Sequence, residues 1–387
     1  MAQVVVVGGG ISGLAFAYRL RQRLETAHVT ILEQNTRLGG TVWTERRDGF
    51  QVEAGPNGFL DSKPTTLQLC RDLELEGQLV PASEAASRNR YLFLGGRLRR
   101  LPTGLGDFFR SDLLSWRGKL RLLLERFQPR RRGDDDESID AFARRRAGGE
   151  VAEVLADALV TGIHAGDPQL LSLAACFPRV AALEAEHGSI LKGMAVAARQ
   201  RRREAQARGV PDQRPGRLWS LRSGLRSLVE ALHDRLRASV CLGVRVRRIE
   251  RQDTGWRVCG DGNDRWDADG VVLACPAYQQ AAMVADLDGE LAEEIGRIAY
   301  NRIAVVAVGF RAADLPRPLE GFGYIAPQRS RRDVLGVQWC SSTFPDRAPP
   351  GCVLLRAMLG GWHRAEVVDW DDVRLLAAVR ADLRQAL

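Results

Sequence analysis

Val4-Val5-Val6-Val7-Gly8-Gly9-Gly10-Ile11-Ser12-Gly13, with Glu33 twenty positions on and Arg37-Leu38-Gly39-Gly40 beyond it, is the stretch that decides the fold. Four valines in a row read as a parallel strand buried on both faces, and residues 14–24 as the helix that follows. Between them Gly8 permits a tight turn, Gly10 lets the backbone approach a pyrophosphate, and Gly13 allows close helix–strand packing. The helix N-terminus offers free N–H groups and a positive dipole end to an anion. Residues 29–32 read as a second strand, and Glu33 ends it where a carboxylate accepts a ribose hydroxyl. This order of elements describes a dinucleotide site, and the motif alone leaves NAD and FAD both open. The two glycines beyond the acid suggest a second close backbone approach, to a longer ligand. No second unit of this kind follows: Gly260-Asp261-Gly262 and Gly321-Phe322-Gly323 lack the third glycine and the helix.

With 387 residues, 45% of them hydrophobic, the chain can bury a sizeable core in two or three domains. Seven scattered cysteines form no CxxC, which argues for free thiols in a reducing cytoplasm. Five scattered histidines form no HxxxH or HExxH pair, so no metal site is expected. The net charge of +8 is local: residues 88–146 hold sixteen Lys/Arg against eight Asp/Glu, an excess equal to the whole. There Arg97, Arg99, Arg100, Arg117, Lys119, Arg121 and Arg126 interleave with Phe108, Phe109, Leu113, Leu114, Trp116, Leu120 and Phe127. Such a stretch lies on an anionic membrane, attracts an acidic substrate, or is a solvated helix face over a core. No nucleic-acid signature is present. No uncharged apolar run approaches the ~18 residues of a spanning helix, which reads as a protein that is soluble or peripheral.

Along the chain, 64–75 reads as a helix, 91–98 as a hairpin turning at Gly95-Gly96, and 105–203 as helical with a charged loop over 130–137. Residues 224–236 read as a helix and 240–250 and 256–259 as strands. The apolar run 270–275, ended by Pro276, returns to the dinucleotide sheet. Strands at 302–310, 335–340 and 352–359 suggest an antiparallel sheet. The expected division is 1–84 and 206–285 for a discontinuous nucleotide domain, 85–205 for a helical insertion and 286–387 for the sheet domain.

The glycine pair beyond the acid resembles the flavin amine oxidase and protoporphyrinogen oxidase superfamily. Further blocks sharpen the resemblance toward the oxygen-dependent porphyrinogen oxidases: 53–60 (EAGPNGFL), 161–168 (TGIHAGDP) with 171–173, 321–324 (GFGY) and 341–349 (SSTFPDRAP). It implies an α/β fold in which a discontinuous Rossmann-like FAD-binding domain joins an antiparallel-sheet substrate domain and a helical insertion. It also implies six-electron oxidation of protoporphyrinogen IX in heme biosynthesis. Coproporphyrinogen III oxidation, another amine oxidase or desaturase chemistry, and an inactive remnant stay open. Hydride leaves a methylene bridge for the flavin, so the protein's task is orientation, and no acid or base residue is assigned.

The resemblance assigns FAD contacts to Gly8, Gly9, Gly10, Ile11, Ser12, Gly13, Glu33, Gln34, Arg37, Gly39, Gly40, Gly55, Pro56, Asn57 and Val246, the last from a strand over 244–246. Arg90 matches a position holding a propionate, and Asn57 one near the flavin and substrate. Gly162 and Gly166 bracket a helix break, and Tyr324 and Phe344 are expected as pocket walls. His164 is a lone histidine with no role assigned. Expected partners are a porphyrinogen, molecular oxygen, a second copy of the chain and the inner face of the membrane, from a cytoplasmic location. The family's C-terminal strand, glycine-rich turn and flavin-directed helix have no match here, and the chain reads as truncated.

Overall fold

The computed structural model describes residues 1–131, 133, 135–207 and 216–387 and divides the chain into two compact units. One comprises Met1–Pro81 and Gly216–Tyr300, the other Ala82–Pro215 and Asn301–Leu387. The helical segment and the C-terminal sheet thus share a unit. Arg132, Asp134 and the junction over 208–215 lie outside the described residues.

The first unit is built on a four-stranded parallel sheet in the order Val240–Leu242, His28–Glu33, Gln3–Val7, Gly270–Leu273. Val4 pairs with both Val29 and Gly270, so the strand expected to return to this sheet does so. Alternation along the valine run fills two cores. Val6 and Ile31 face helices Ile11–Arg23 and Arg226–Leu236 through Leu14, Ala17, Val229 and Leu232. Val5, Val7 and Leu32 face Ile249, Val258 and Met283, from a three-stranded antiparallel sheet and helix Ala277–Val284. The strand expected over 240–250 is broken: Gly243, at φ 73°, turns the chain, and 243–247 form no regular strand before Arg248–Arg251. Val246 therefore sits on a connector and is buried there.

The second unit centres on a six-stranded sheet in the order Ile303–Arg311, Cys352–Gly360, Val334–Trp339, Gly323–Ile325, Arg90–Leu94, Arg97–Arg100. All its pairings are antiparallel except Gly323–Ile325 against Arg90–Leu94. Helix Asp372–Ala386 covers one face through Val379, Leu383 and Ala386, against Tyr324, Val337 and Leu355. Leu92, Leu94 and Ile325 face the helical segment through Leu113, Leu114, Val151 and Val154.

Within that segment Arg146 and Glu125 are both fully buried. Arg146 Nε donates to Glu125 at 2.9 Å, and Ser189 Oγ and the amides of Ile190 and Leu191 donate to the same carboxylate. Burial alone would raise the Glu125 pKa, but these donors outweigh it and hold the carboxyl below its ordinary value. The described part of the charged loop is not simply solvated, because Glu137 takes both Nε and Nη2 of Arg145 at 2.9 and 2.8 Å.

Candidate functional site

The first unit contains a cavity of about 470 Å³ beside the glycine loop. Gly8, at φ 112°, starts the turn and its amide donates to Leu32 O at 2.8 Å. Helix Ile11–Arg23 follows with Gly10 as N-cap, without a side-chain cap and without an acid in its first turn, which leaves its first amides for an anion. A Cβ on Gly13 would stand 2.0 Å from Gly8 O, so the third glycine packs the helix against the loop. A Cβ on Gly10 would meet nothing within 4 Å and would occupy the cradle itself. That is the fit expected of a loop shaped for a phosphate.

The second glycine pair is tied to the first. Gly39 N donates to Gly9 O at 2.8 Å, and Gly39 and Gly40 both have positive φ. Glu33 is buried at the cavity wall; its Oε2 accepts from Gly9 N at 2.7 Å and its Oε1 from Asn35 N at 2.9 Å and Nδ2 at 2.6 Å. A carboxylate has acceptor sites beyond these three, which suits a ribose hydroxyl as well.

Of the residues expected to hold a cofactor, Gly8, Gly10, Ile11, Ser12, Glu33, Gln34, Gly39, Gly40 and Val246 line the cavity. Gly9 and Gly13 stand behind it. Arg37 folds back instead, donating to Gly40 O at 3.0 Å and lying 4.5 Å over the Trp43 ring, so it braces the loop. Gly55 packs under Thr41, where a Cβ would come 1.9 Å from Thr41 O. Pro56 and Asn57 do not line this cavity. Asn57 is nonetheless buried, and its Nδ2 finds no hydrogen-bond partner among the described residues. An orphaned buried donor of this kind marks a place a ligand acceptor would satisfy.

The lining is completed by a second wall that went unread in the sequence, Ala274, Cys275, Pro276, Tyr278, Gln279, Met283 and Tyr300, with Thr41 beside Gly40. Its signal was available, since a cleft in a parallel α/β sheet opens at the carboxyl ends of the strands and 270–276 is such an end. Burial there pushes the Cys275 thiol pKa up, and the Glu33 carboxylate adds to the rise.

In the second unit Arg90 stands directly opposite Gly323, exposed, with its guanidinium 5.2 Å from the Phe322 ring centre and no carboxylate partner among the described residues. Helix Asp157–His164 ends between the two predicted glycines, at Ala165 in the left-handed region. Gly162 lies inside that helix, where a Cβ would meet Ile325 Cδ1 at 2.5 Å, so it lets the helix lie on the sheet. Gly166 packs beside Leu171. Arg90 and Ile325 share a sheet face, whereas Tyr324 points to the other. Tyr324 is buried in the core, its hydroxyl donating to Asp382 Oδ2 at 2.5 Å, which gives it a packing role away from any wall that Arg90 forms. Phe344 is likewise buried, with Arg347 5.4 Å from its ring. His164 accepts through its carbonyl from Asn301 Nδ2 at 2.7 Å, and its ring meets Phe177 edge-on.

The basic stretch also resolves into parts. Lys119 is buried and donates to Phe109 O at 2.8 Å and to Ser111 O, while Arg97, Arg99 and Arg100 pair with Asp112 and Asp107. Leu105, Phe109, Trp116, Leu120 and Phe127 are exposed beside Arg117, Arg121 and Arg126. Among the described residues no helix is long and apolar enough to cross a membrane.

Residues 11–387 match the family of flavin-containing amine oxidoreductases. The chain is 30% identical to coproporphyrinogen III oxidase of Bacillus subtilis, over 99% of this chain and 83% of that protein. It is 35% identical to human protoporphyrinogen oxidase, over 92% of this chain and 77% of that protein. A solved structure assigned to protoporphyrinogen oxidase, from Exiguobacterium sp. 255-15, superposes with a TM-score of 0.83 at 28% identity, covering 99% of this chain and 82% of that one. Putrescine oxidase, at 18% identity and a TM-score of 0.69 over 100% of this chain and 81% of that one, shares the fold.

Proposed function

The chain belongs to the flavin-containing amine oxidoreductase family, and on that premise we propose that it oxidises a porphyrinogen to the porphyrin, with FAD as cofactor and oxygen as final acceptor. It is an FAD-dependent oxidoreductase. The observation that carries the reading is the glycine-walled cavity beside Glu33, in a chain whose relatives include porphyrinogen oxidases.

When bound, FAD would supply a two-electron acceptor that oxygen regenerates. The chain's own residues bind and orient. Gly10 and the first-turn amides at Ile11 and Ser12 hold the phosphates above the turn that Gly8 starts, Glu33 takes a ribose hydroxyl, and Gly39 and Gly40 keep side chains out of the way. Asn57 offers its unpaired Nδ2 to a ligand acceptor. Arg90, with no carboxylate partner among the described residues, grips a propionate arm by charge-assisted hydrogen bonds. No side chain is given acid or base work.

Protoporphyrinogen IX is the first reading; the Bacillus subtilis relative favours coproporphyrinogen III as the second. Each substrate is mixed anaerobically with the flavin-loaded protein. Bleaching of the flavin, followed in air by porphyrin fluorescence, supports the reading, and the faster substrate is the physiological class. A loaded protein that does neither with both, or that turns over amines alone, overturns it. We read the exposed apolar and basic residues of 105–127 as a peripheral contact with anionic lipid at the inner face of the membrane.

A further inference from the structure

We propose that Tyr278 and Tyr300 form an aromatic clamp that stacks on a flat heteroaromatic ring of the bound dinucleotide and sets its rate of release. The proposal rests on reading the cavity as the FAD site. Both residues line that cavity, yet each is more than half exposed, at 56% and 54%. Single exposed tyrosines need no explanation. These two are paired, with ring centres 5.3 Å apart at an interplanar angle of 84°. An edge-to-face pair satisfies one face of one ring and the edge of the other, so flat π-surface stays open for a further stack.

The pair is also anchored. The amide of Ala277, first residue of helix Ala277–Val284, donates to the Tyr300 hydroxyl oxygen at 2.9 Å. The N-cap residue of that helix is Pro276, whose side chain carries no acceptor, so a tyrosine far along the chain supplies the missing cap. The oxygen is used as acceptor while the phenolic hydrogen stays available to a ligand. Met283, near the end of the same helix, packs into the core with Val7, Leu32 and Val246. The helix bearing Tyr278 is thus fixed at one end by the core and at the other by Tyr300, and the rings stand on a rigid base at the rim of a cleft. A ligand with a phosphate near Gly10 and a planar ring beside these tyrosines would complete both.

The test measures FAD release from the loaded protein by rapid mixing, with equilibrium titrations of FAD, ADP and FMN on the apoprotein. Tyr278→Ala is expected to speed FAD release roughly ten- to a hundredfold, the range for loss of one base–aromatic stack, while Tyr278→Phe restores the wild-type rate. Tyr300→Phe keeps the ring and removes the cap, so an increase in release smaller than that of Tyr300→Ala is expected. If ADP weakens together with FAD, adenine is the stacked ring; if FAD weakens and ADP does not, the isoalloxazine is. Unchanged release in Tyr278→Ala and Tyr300→Ala, with FAD binding abolished by Gly10→Val, overturns the clamp alone. Wild-type protein that binds no FAD, or binding that survives Gly10→Val, overturns the cavity reading and the clamp with it.

Discussion

The Gly9 amide donates to the Glu33 carboxylate at 2.7 Å, so the acid that ends the second strand also holds the turn that ends the first. Glu33→Ala leaves a buried N–H without its acceptor, a loss of about 1–3 kcal/mol in stability. Urea unfolding of the apoprotein and FAD titration should therefore both report weakening. A residue that served only a ribose would lose affinity and keep stability.

Gly10 and Gly13 separate binding from folding. Gly13→Ala forces a methyl into Gly8 O, and a loss of about 2–4 kcal/mol in apoprotein stability is expected. A Cβ at Gly10 meets no protein atom within 4 Å, so for Gly10→Val the thermal midpoint of the apoprotein should hold while FAD binding disappears.

Arg90→Ala should raise KM for the porphyrinogen and leave flavin occupancy near that of the wild type. Arg90→Lys keeps the charge but not the two-pronged geometry, and recovers part of the loss. Steady-state kinetics on flavin-normalised protein decides the point, and an unchanged KM removes Arg90 from the propionate.

Tyr324 and Asp382 tie stability to pH at both ends. Burial, and then the Asp382 charge, raise the Tyr324 pKa far above its ordinary value. The folded state holds that proton where the unfolded chain releases it, so stability falls as pH rises past about 10, and Tyr324→Phe flattens this limb. Burial also raises the Asp382 pKa, with the Tyr324 hydrogen bond opposing the rise. That group's stabilisation is complete below about pH 4 and is lost as pH climbs through the raised value. Asp382→Asn should remove that slope in urea midpoints followed from pH 3 upward. Tyr324→Phe costs about 1–3 kcal/mol, because it leaves the buried Asp382 side chain without its hydrogen-bond donor.

Trp116 and Phe127 are expected to carry the lipid contact. Replacing both with Ser should abolish sedimentation with vesicles containing anionic lipid, while binding by the wild type weakens as salt rises. Equal binding to neutral and anionic vesicles would leave Arg117, Arg121 and Arg126 without a role there.

Much of the nucleotide cradle was legible in the sequence, because each part rests on a local rule: a valine run alternates between two faces, and glycine sits where a Cβ has no room. Tyr300 was not legible as a cavity residue. It reaches the lining from beyond two helices, held by the hydrogen bond from the Ala277 amide to its hydroxyl, a contact no local pattern specifies. Arg37 lies beside the glycine pair in sequence but is not among the cavity's lining residues, since its guanidinium lies over the Trp43 ring, a direction no local pattern specifies. The alternation that identified the sheet around Tyr324 also decides which face each aromatic joins, and that face depends on where helix Asp372–Ala386 docks.

The pairing of Val4 with Gly270 also sets a timetable for synthesis. At about 5–20 residues per second, the ribosome delivers the fourth strand on the order of 15–50 s after the first. Through that interval the valine strand has an unpaired edge and an uncovered apolar face, a template for the wrong partner. The nucleotide cleft has one wall early and the other late, so a nascent chain is exposed to aggregation for most of its translation. Cofactor supplied during expression would capture the cleft only once both walls have emerged.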